Sequence, residues 1–233
     1  MAKRRSGRSG RGLATRVKTA KGRKSASTRW LRRQLNDPYV AAAQADGLRS
    51  RAAYKLAELD DRFHFIKMGA RIVELGAAPG GWTQIAVRRS GADGDPPRGR
   101  VVALDLAQMD PIRGAHRIEL DFFAEDAPAR IMDALEGPAD LVLSDMAPAL
   151  TGHAKTDHLR IMEFLEAAFQ FACETLAPGG HFVAKVFQGG TESQLLALMK
   201  RRFASVRHAK PPASRAESSE FFVVAMGFRG TPD

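Results

Sequence analysis

The sequence contains few of the residues that stabilise small secreted proteins or anchor proteins in membranes. Its 233 residues include one cysteine, Cys173, two tryptophans and two tyrosines. A single cysteine cannot close an internal disulfide, and no spacing typical of a metal site surrounds it. No apolar run reaches the roughly eighteen residues that cross a bilayer, and the basic N-terminus lacks the apolar segment of a secretory signal. We therefore expect a cytoplasmic protein that binds no metal and contacts no membrane.

Acidic residues are missing from the N-terminal region. Residues 1–36 contain thirteen lysines and arginines and no acid, whereas the rest of the chain has 23 basic and 26 acidic residues. Residues 1–28 contain almost no large apolar side chain, so burial cannot offset the entropy lost on ordering them. We predict a disordered basic tail over 1–28 that binds nucleic acid, followed by one domain over 29–233. A solvated or targeting arm is the alternative for this tail.

Residues 71–84 combine a short apolar run with a cluster of glycines. The run predicts a buried strand that ends at Gly76, and Gly80 and Gly81 lead into a segment with helical spacing. A strand, a glycine-rich turn and a helix N-terminus form a cradle for a nucleotide cofactor, because free N–H groups there face the ligand. Ala78 replaces the second glycine of the dinucleotide fingerprint, which favours an adenosine cofactor without phosphates over NAD. A tight turn that binds no ligand is the alternative.

Segments of strand length and helix length alternate after this loop. Strands are predicted near 71–75, 100–105, 116–120, 140–144, 181–187, 204–208 and 220–226, and helices near 82–90, 127–135, 157–176 and 191–202. The alternation predicts an α/β fold with a seven-stranded, mostly parallel sheet and helices on both faces. Residues 209–219 leave no room for a helix, so the last strand is expected to be antiparallel.

Three helices are predicted before the first strand. The first two are separated at Asp37, with Pro38 in the first turn of the second. Ser50 is predicted to be the N-cap of the third, which ends near Arg62. That helix carries Lys55 beside its apolar face.

Charged residues end or interrupt several predicted strands, at the edge where open α/β sheets bind ligands. Asp105 ends the second strand, where an acid can accept hydrogen bonds from two ribose hydroxyls, and Asp121 follows the third, where it can accept from an adenine amino group. Asp145 ends the fourth strand, Lys185 lies inside the fifth, and Glu220 precedes the apolar run of the seventh. Such residues are seldom buried unless they are paired or functional, so together they predict a site. Helix caps, solvated acids and buried ion pairs are the alternatives for each one singly.

Several motifs occur in order along the chain. They are Ser-Arg-Ala-Ala-Tyr-Lys-Leu (50–56), Leu-Gly-Ala-Ala-Pro-Gly-Gly-Trp (75–82), Ser-Asp-Met-Ala-Pro (144–148), Leu-Ala-Pro-Gly-Gly (176–180), Ala-Lys-Val-Phe-Gln-Gly (184–189) and Ser-Ser-Glu (218–220). Together they resemble the FtsJ family of ribosomal RNA 2′-O-methyltransferases. The resemblance covers roughly residues 30–228 and leaves out the basic tail and an insert at 91–99.

The resemblance implies a class I S-adenosylmethionine-dependent methyltransferase with a Rossmann-like fold. The family's catalytic set of lysine, aspartate, lysine and glutamate matches Lys55, Asp145, Lys185 and Glu220. Its cofactor contacts match Gly80, Trp82, Asp105, Asp121 and Asp145. The implied substrate is a uridine ribose in 23S ribosomal RNA within the large ribosomal subunit, the implied enzyme is a monomer, and the basic tail is then an RNA-binding tail.

The chemistry of this reaction requires a base. A ribose 2′-hydroxyl becomes a good nucleophile only as its proton is removed, so the enzyme must align the oxygen with the methyl carbon and sulfur and accept that proton. We assign Lys185 as the base of this in-line transfer. Lys55 and the sulfonium are expected to lower its pKa, whereas Asp145 and Glu220 raise it. The location of the proton within the four groups stays open.

Other interpretations remain open from the sequence. They are an RNA-docking module with a methyltransferase fold, a nicotinamide dehydrogenase, and a messenger-RNA cap methyltransferase.

A local basic patch is also predicted to guide RNA to the two lysines, Lys55 and Lys185. Its members are Arg32, Arg33, Arg49, Arg51 and Arg62.

Overall fold

The computed structural model describes residues 15, 25–148, 151–187 and 193–230. Most of the predicted tail, 1–28, and the first two residues of the helix predicted at 191–202 lie outside the described residues. Packing divides the chain into two compact units, Met1–Gly47 and Leu48–Asp233. No helix within the described ranges is long and apolar enough to cross a membrane.

Among its described residues, the first unit contains two helices, α1 (Ser25–Leu35) and α2 (Pro38–Ala45). Asp37 is the N-cap of α2, and its side chain accepts a hydrogen bond from the backbone N–H of Tyr39. A proline tolerates the first helical turn because the N–H it lacks has no partner there in any case. The predicted position of Pro38 in the first turn of α2 is therefore confirmed.

The second unit is built on a seven-stranded sheet. Its strands are β1 (Arg71–Leu75), β2 (Arg100–Asp105), β3 (Ala115–Glu119), β4 (Ala139–Ser144), β5 (Leu176–Phe187), β6 (Phe203–Ala209) and β7 (Glu220–Phe228). The strand order is β3-β2-β1-β4-β5-β7-β6. The pairs from β3 through to β5 are parallel, and β7 is antiparallel to both of its neighbours. The predicted α/β fold and the antiparallel last strand are confirmed.

Helices cover both faces of the sheet. They are α3 (Ala52–Phe63), α4 (Gly81–Ser90), α5 (Ala127–Leu135), α6 (Ala154–Thr175) and α7 (Ser193–Arg202). Apolar side chains of α3 and α4 pack with Ile72 and Leu141 in one cluster, and those of α5, α6 and α7 pack with Val73 and Val142 in another. Neighbouring residues of a strand point to opposite faces, so each central strand supplies side chains to both clusters.

Several predicted boundaries differ from the structure. The helix α1 begins at Ser25, within the segment 1–28 that was predicted to be disordered. Ser50 is not the N-cap of α3: that position belongs to Arg51, and no side-chain hydrogen bond caps the helix. The Ser50 hydroxyl packs against Gly81 instead, so closely that an added Cβ on Gly81 would lie 2.2 Å from its Oγ. In addition, β5 begins at Leu176 rather than 181, because Leu176 already pairs with Ala139 before an irregularity in the register.

Candidate active site

The carboxyl ends of the parallel strands form one cavity. Asp105 ends β2, Asp121 follows β3, Asp145 follows β4, and Lys185 lies in β5. All four residues line a cavity of about 370 Å³. Small-molecule sites typically enclose about 300–1,000 Å³. The strand-end residues identified separately in the sequence therefore lie around a single space of ligand size.

The glycine-rich loop between β1 and α4 lies against neighbouring segments. Gly76 has a φ of +77°, and a Cβ added there would lie 2.8 Å from the backbone nitrogen of Met146. Gly80, with a φ of +105°, is the N-cap of α4. Gly76 lines the cavity, whereas Gly80 is not part of its lining, and a Cβ added to Gly80 would approach the side chains of Met109 and Ile112. The loop that lines the cavity at Gly76 and Ala78 thus leads directly into α4.

The indole of Trp82 is not exposed to the cavity. Its side chain is buried, its Nε1 donates to the carbonyl oxygen of Ala52 at 2.8 Å, and its ring packs against Phe222. The side chain therefore joins α4 to α3 and the sheet. A cofactor contact at this position, which the family resemblance implies, can come only from the backbone N–H in the first turn of α4.

Two acids at the cavity are held by backbone N–H groups. Asp105 accepts from Ala78 N–H through Oδ2 at 2.8 Å and from Ala107 N–H through Oδ1 at 2.7 Å. Asp121 accepts from Phe123 N–H at 3.0 Å. Each carboxylate oxygen can accept a further hydrogen bond. The acids are thus oriented by the backbone and keep the capacity to bind hydroxyl or amino groups of a ligand.

Lys185 and Asp145, which both line the cavity, form an ion pair. Lys185 Nζ donates to the main-chain oxygen of Asp145 at 2.6 Å and lies 2.9 Å from its Oδ1. Burial raises the pKa of Asp145 above its ordinary value, while the ammonium groups of Lys185 and Lys55 oppose that shift and the Glu220 carboxylate adds to it. Asp145 therefore interacts electrostatically with the other three members of the predicted catalytic set, Lys185, Lys55 and Glu220.

Lys55 forms the second pair of the set, with Glu220. Its ammonium donates to Oε1 of Glu220, and both side chains are largely buried. In the antiparallel register Lys185 lies opposite Phe222, two residues after Glu220 on β7, so Lys185 and Glu220 project from the same face of the sheet. Lys55 lies 5.8 Å from the centroid of the Phe222 ring. The structure thus brings Lys55, Asp145, Lys185 and Glu220 together as two adjacent ion pairs.

The sequence interpretation missed Glu74. This residue lies on β1, the strand between β2, which ends at Asp105, and β4, which precedes Asp145. It is completely buried, and its Oε2 accepts from the hydroxyl of Thr83 at 2.6 Å. Its Oε1 has no hydrogen-bond partner among the described residues. Burial raises the pKa of Glu74 to about 8, with smaller contributions from Asp145 and Asp105. A glutamate inside the apolar run Ile72–Leu75 is the same kind of signal that identified Lys185.

Other features of the site were also missed. Leu106 and Phe123 are exposed at the cavity, 68% and 47% respectively, and supply apolar surface to its lining. Arg49 donates to the carbonyl oxygens of Pro79, Asp110 and Pro111, which ties the glycine-rich loop to the β2–β3 connection. These contacts could not be identified from spacing, because they join segments 30 to 62 residues apart.

The predicted basic patch is only partly a free cationic surface. Arg49 and Arg51 direct guanidinium groups at main-chain oxygens, those of the β2–β3 connection and of Ala213. Arg62 is exposed and lies over the ring of Phe63. Arg32 and Arg33 belong to α1 in the first unit.

In the part of the chain that the structure describes, no cluster of three or more histidine, cysteine, aspartate or glutamate residues could hold a metal ion.

Comparison with known proteins gives concordant matches. The sequence model of the FtsJ-like methyltransferase family matches residues 48–228. Ribosomal RNA large subunit methyltransferase E of Paramagnetospirillum magneticum is 59% identical over 223 residues, which cover 96% of this chain and 91% of that protein. The protein of the same name from Granulibacter bethesdensis is 60% identical over 219 residues, covering 94% and 92%. A solved structure from Plasmodium falciparum, described as a ribosomal RNA methyltransferase, covers 78% of this chain and 100% of its own with a TM-score of 0.69 and 27% identity.

Proposed function

This chain belongs to the FtsJ-like methyltransferase family, and from that premise we propose that it methylates a uridine ribose 2′-hydroxyl of 23S ribosomal RNA within the large ribosomal subunit. The observation that carries the proposal is the Lys185–Asp145 pair at the border of the cavity lined by Asp105 and Asp121. A base beside a nucleotide-sized cavity is what methyl transfer to a hydroxyl requires. Membership of a methyltransferase family argues against the two alternatives of a nicotinamide dehydrogenase and an RNA-docking module.

The residues around the cavity fit S-adenosylmethionine. Asp105 would bind the ribose hydroxyls, Asp121 the adenine amino group, and Leu106 and Phe123 the faces of the base. The loop at Gly80, with backbone N–H groups at the start of α4, would hold the polar end of the molecule. S-adenosylmethionine supplies a methyl group that its sulfonium has already activated. The protein therefore needs to activate the ribose oxygen alone.

Lys185 is the proposed general base for that oxygen. Its ammonium must first lose a proton, and the nearest acceptor is Asp145, whose Oδ1 lies 2.9 Å away and whose pKa is raised by burial. A carboxylate with a raised pKa accepts a proton more readily than a solvated one. Lys55 is held by Glu220, so its positive charge stays next to the Lys185–Asp145 pair. Lys55 is also the group that would hold the attacking oxygen.

The proposal is tested by mapping ribose methylation in 23S ribosomal RNA. Cells that lack the protein are expected to lose one uridine 2′-O-methyl group. Purified protein is expected to restore it to large subunits from those cells when S-adenosylmethionine is added. Protein with Asp105→Asn and Asp121→Asn together serves as the control that lacks proposed cofactor contacts. An unchanged methylation map in the deletion strain would overturn the assigned substrate.

The proposal includes a role for the basic tail and a place of action. The protein acts as a monomer in the cytoplasm, where large ribosomal subunits assemble. Residues 1–28 contain ten lysines and arginines, and contacts from such a tail to phosphates carry no sequence information. The tail thus adds affinity for RNA, while the site on the sheet selects the nucleotide.

Deleting residues 1–28 is expected to weaken binding to large subunits and to flatten its salt dependence. Each phosphate contact removed lowers the slope of log K against log salt by about 0.7 to 0.9. The methylated nucleotide and the affinity for S-adenosylmethionine should not change. A variant with the order of residues 2–28 scrambled keeps the charge and is expected to behave like the intact protein. An unchanged salt slope after deletion would show that the tail does not bind RNA.

A further inference from the structure

One face of α3 carries three charged residues that contact either the segment joining β6 to β7 or the first residue of β7. Arg51, at the N-cap position, Lys55 and Glu58 are spaced by four and three residues, which places their side chains on one helix face. Lys55 pairs with Glu220, the first residue of β7. Arg51 and Glu58 both contact Ala213, seven residues earlier in the same segment.

Ala213 is held from both sides by these two residues. It is completely buried, so its backbone N–H and carbonyl both need partners within the protein. Oε2 of Glu58 accepts from the Ala213 N–H at 2.6 Å, and Nη2 of Arg51 donates to the Ala213 carbonyl. Hydrogen bonds with one ionised partner are roughly twice as strong as neutral ones. The two bonds therefore anchor this point of the segment to α3.

The residues between Ala213 and Glu220 are held in a compact turn. Lys210 Nζ donates to the carbonyl oxygens of Ala216 at 3.1 Å and Ser218 at 2.6 Å. The backbone N–H of Glu220 donates to the hydroxyl of Ser218 at 3.2 Å. These bonds connect the residues near Ala213 to those next to Glu220, which itself pairs with Phe187 on β5.

We propose that Glu58 and Arg51 are positioning residues for methyl transfer, which act by anchoring Ala213 and so setting Glu220 against Lys55. The inference rests on the methyltransferase function proposed above. Neither residue contacts the reacting groups in this account. The cavity assigned to the cofactor is lined by other segments of the chain, so affinity for S-adenosylmethionine does not depend on the anchor.

Glu58→Ala and Glu58→Gln form the primary test. Glu58→Ala removes the acceptor for the Ala213 N–H and is expected to lower kcat on large subunits by about 10- to 100-fold, the effect of a displaced catalytic group. Glu58→Gln keeps an acceptor oxygen and is expected to retain kcat within about threefold of the wild type. The dissociation constant for S-adenosylmethionine, measured by calorimetry, should stay within about twofold in both variants. Equal losses in the two variants, or none in Glu58→Ala, would overturn the proposal.

A double-mutant cycle with Glu220→Ala separates positioning from a general structural role. If Glu58 acts through Glu220, the effects of the two substitutions are not additive. The kcat of the double variant is then expected to lie within about twofold of the kcat of Glu220→Ala alone. A full second loss would mean that Glu58 supports the fold independently of Glu220, which contradicts the proposal. If Glu58→Ala does not accumulate as folded protein, Glu58→Asp, shorter by one methylene, replaces it in both experiments.

Amide hydrogen exchange of the full-length protein gives a readout that does not depend on activity. Exchange at Ala213 and through residues 214–220 is expected to be faster in Glu58→Ala and unchanged in Glu58→Gln, because only the first loses the anchoring acceptor. Unchanged exchange in Glu58→Ala would overturn the anchor itself. Wild-type protein that methylates no large subunit would instead overturn the proposed function, while the exchange measurement still decides whether the anchor exists.

Discussion

Replacing Lys185 by alanine is expected to lower kcat by about 10² to 10⁴-fold, the range for loss of a general base. The reason is that Lys185 lies at the cavity border, paired with Asp145, and no other lysine of the described residues is placed in that cavity's lining. Single-turnover methylation of large subunits measures the effect on the chemical step. Affinity for S-adenosylmethionine should remain nearly the same, because Lys185 is assigned to the ribose hydroxyl.

Two further variants make this result specific. Lys185→Arg keeps a positive charge but cannot act as a base, because a guanidinium stays protonated in proteins. It is therefore expected to be as inactive as Lys185→Ala, and recovery of activity in it would show that Lys185 contributes charge rather than base catalysis. Lys67→Ala removes an exposed lysine outside the cavity and is expected to leave turnover unchanged.

The second large effect concerns stability. The pKa of Glu74 is about 8 in the folded protein against an ordinary value of 4.5, so the folded state holds a proton that the unfolded chain releases between these values. The contribution of this group is therefore most favourable below about pH 4.5 and declines as the pH rises towards 8. The decline has a limiting slope of about 1.4 kcal/mol per pH unit for one group.

Glu74→Gln is expected to remove that slope. Glutamine stays neutral and keeps an oxygen that can accept from the Thr83 hydroxyl. Its amide donors are new and buried, which costs about 1–3 kcal/mol, so the variant should gain stability over the wild type chiefly near pH 8. Urea unfolding from pH 5 to 8 measures the free energy of unfolding. Glu119→Gln, at an exposed position on β3, is the matched control, and parallel pH profiles for wild type and Glu74→Gln would contradict the assignment.

Most of the architecture could be predicted because it depends on local patterns. The strand periods, the glycines at 76, 80 and 81, and the helix start at Pro38 are short-range features, and the structure confirms them. The antiparallel direction of β7 followed from the length of the segment between β6 and β7. Residues 210–219 are too few to include a crossover helix. The cap at Ser50 was wrong because its hydroxyl packs against Gly81, a contact between residues 31 positions apart.

The candidate site could be predicted in its membership but not in its pairing. Lys185 and Asp145 were recognisable because a charge within or directly after an apolar strand is unusual, and strand order then placed them side by side. Glu74 carried the same signal and was overlooked because it lies inside the glycine-loop motif. The partner of Lys55 is 165 residues away, and no local pattern identifies it.

The sequence by itself determined three things: the succession of strands and helices along the chain, the family, and which charged residues reach the carboxyl edge of the sheet. These properties follow from periodicity and from the residues present at given positions. Only the tertiary structure decided that the four charged groups form two ion pairs, that the Trp82 indole is turned away from the cavity, and that burial raises the pKa of Glu74 to about 8. Those properties depend on distances and burial created by segments far apart in the chain, because electrostatic energy is set by spatial surroundings rather than by sequence neighbours.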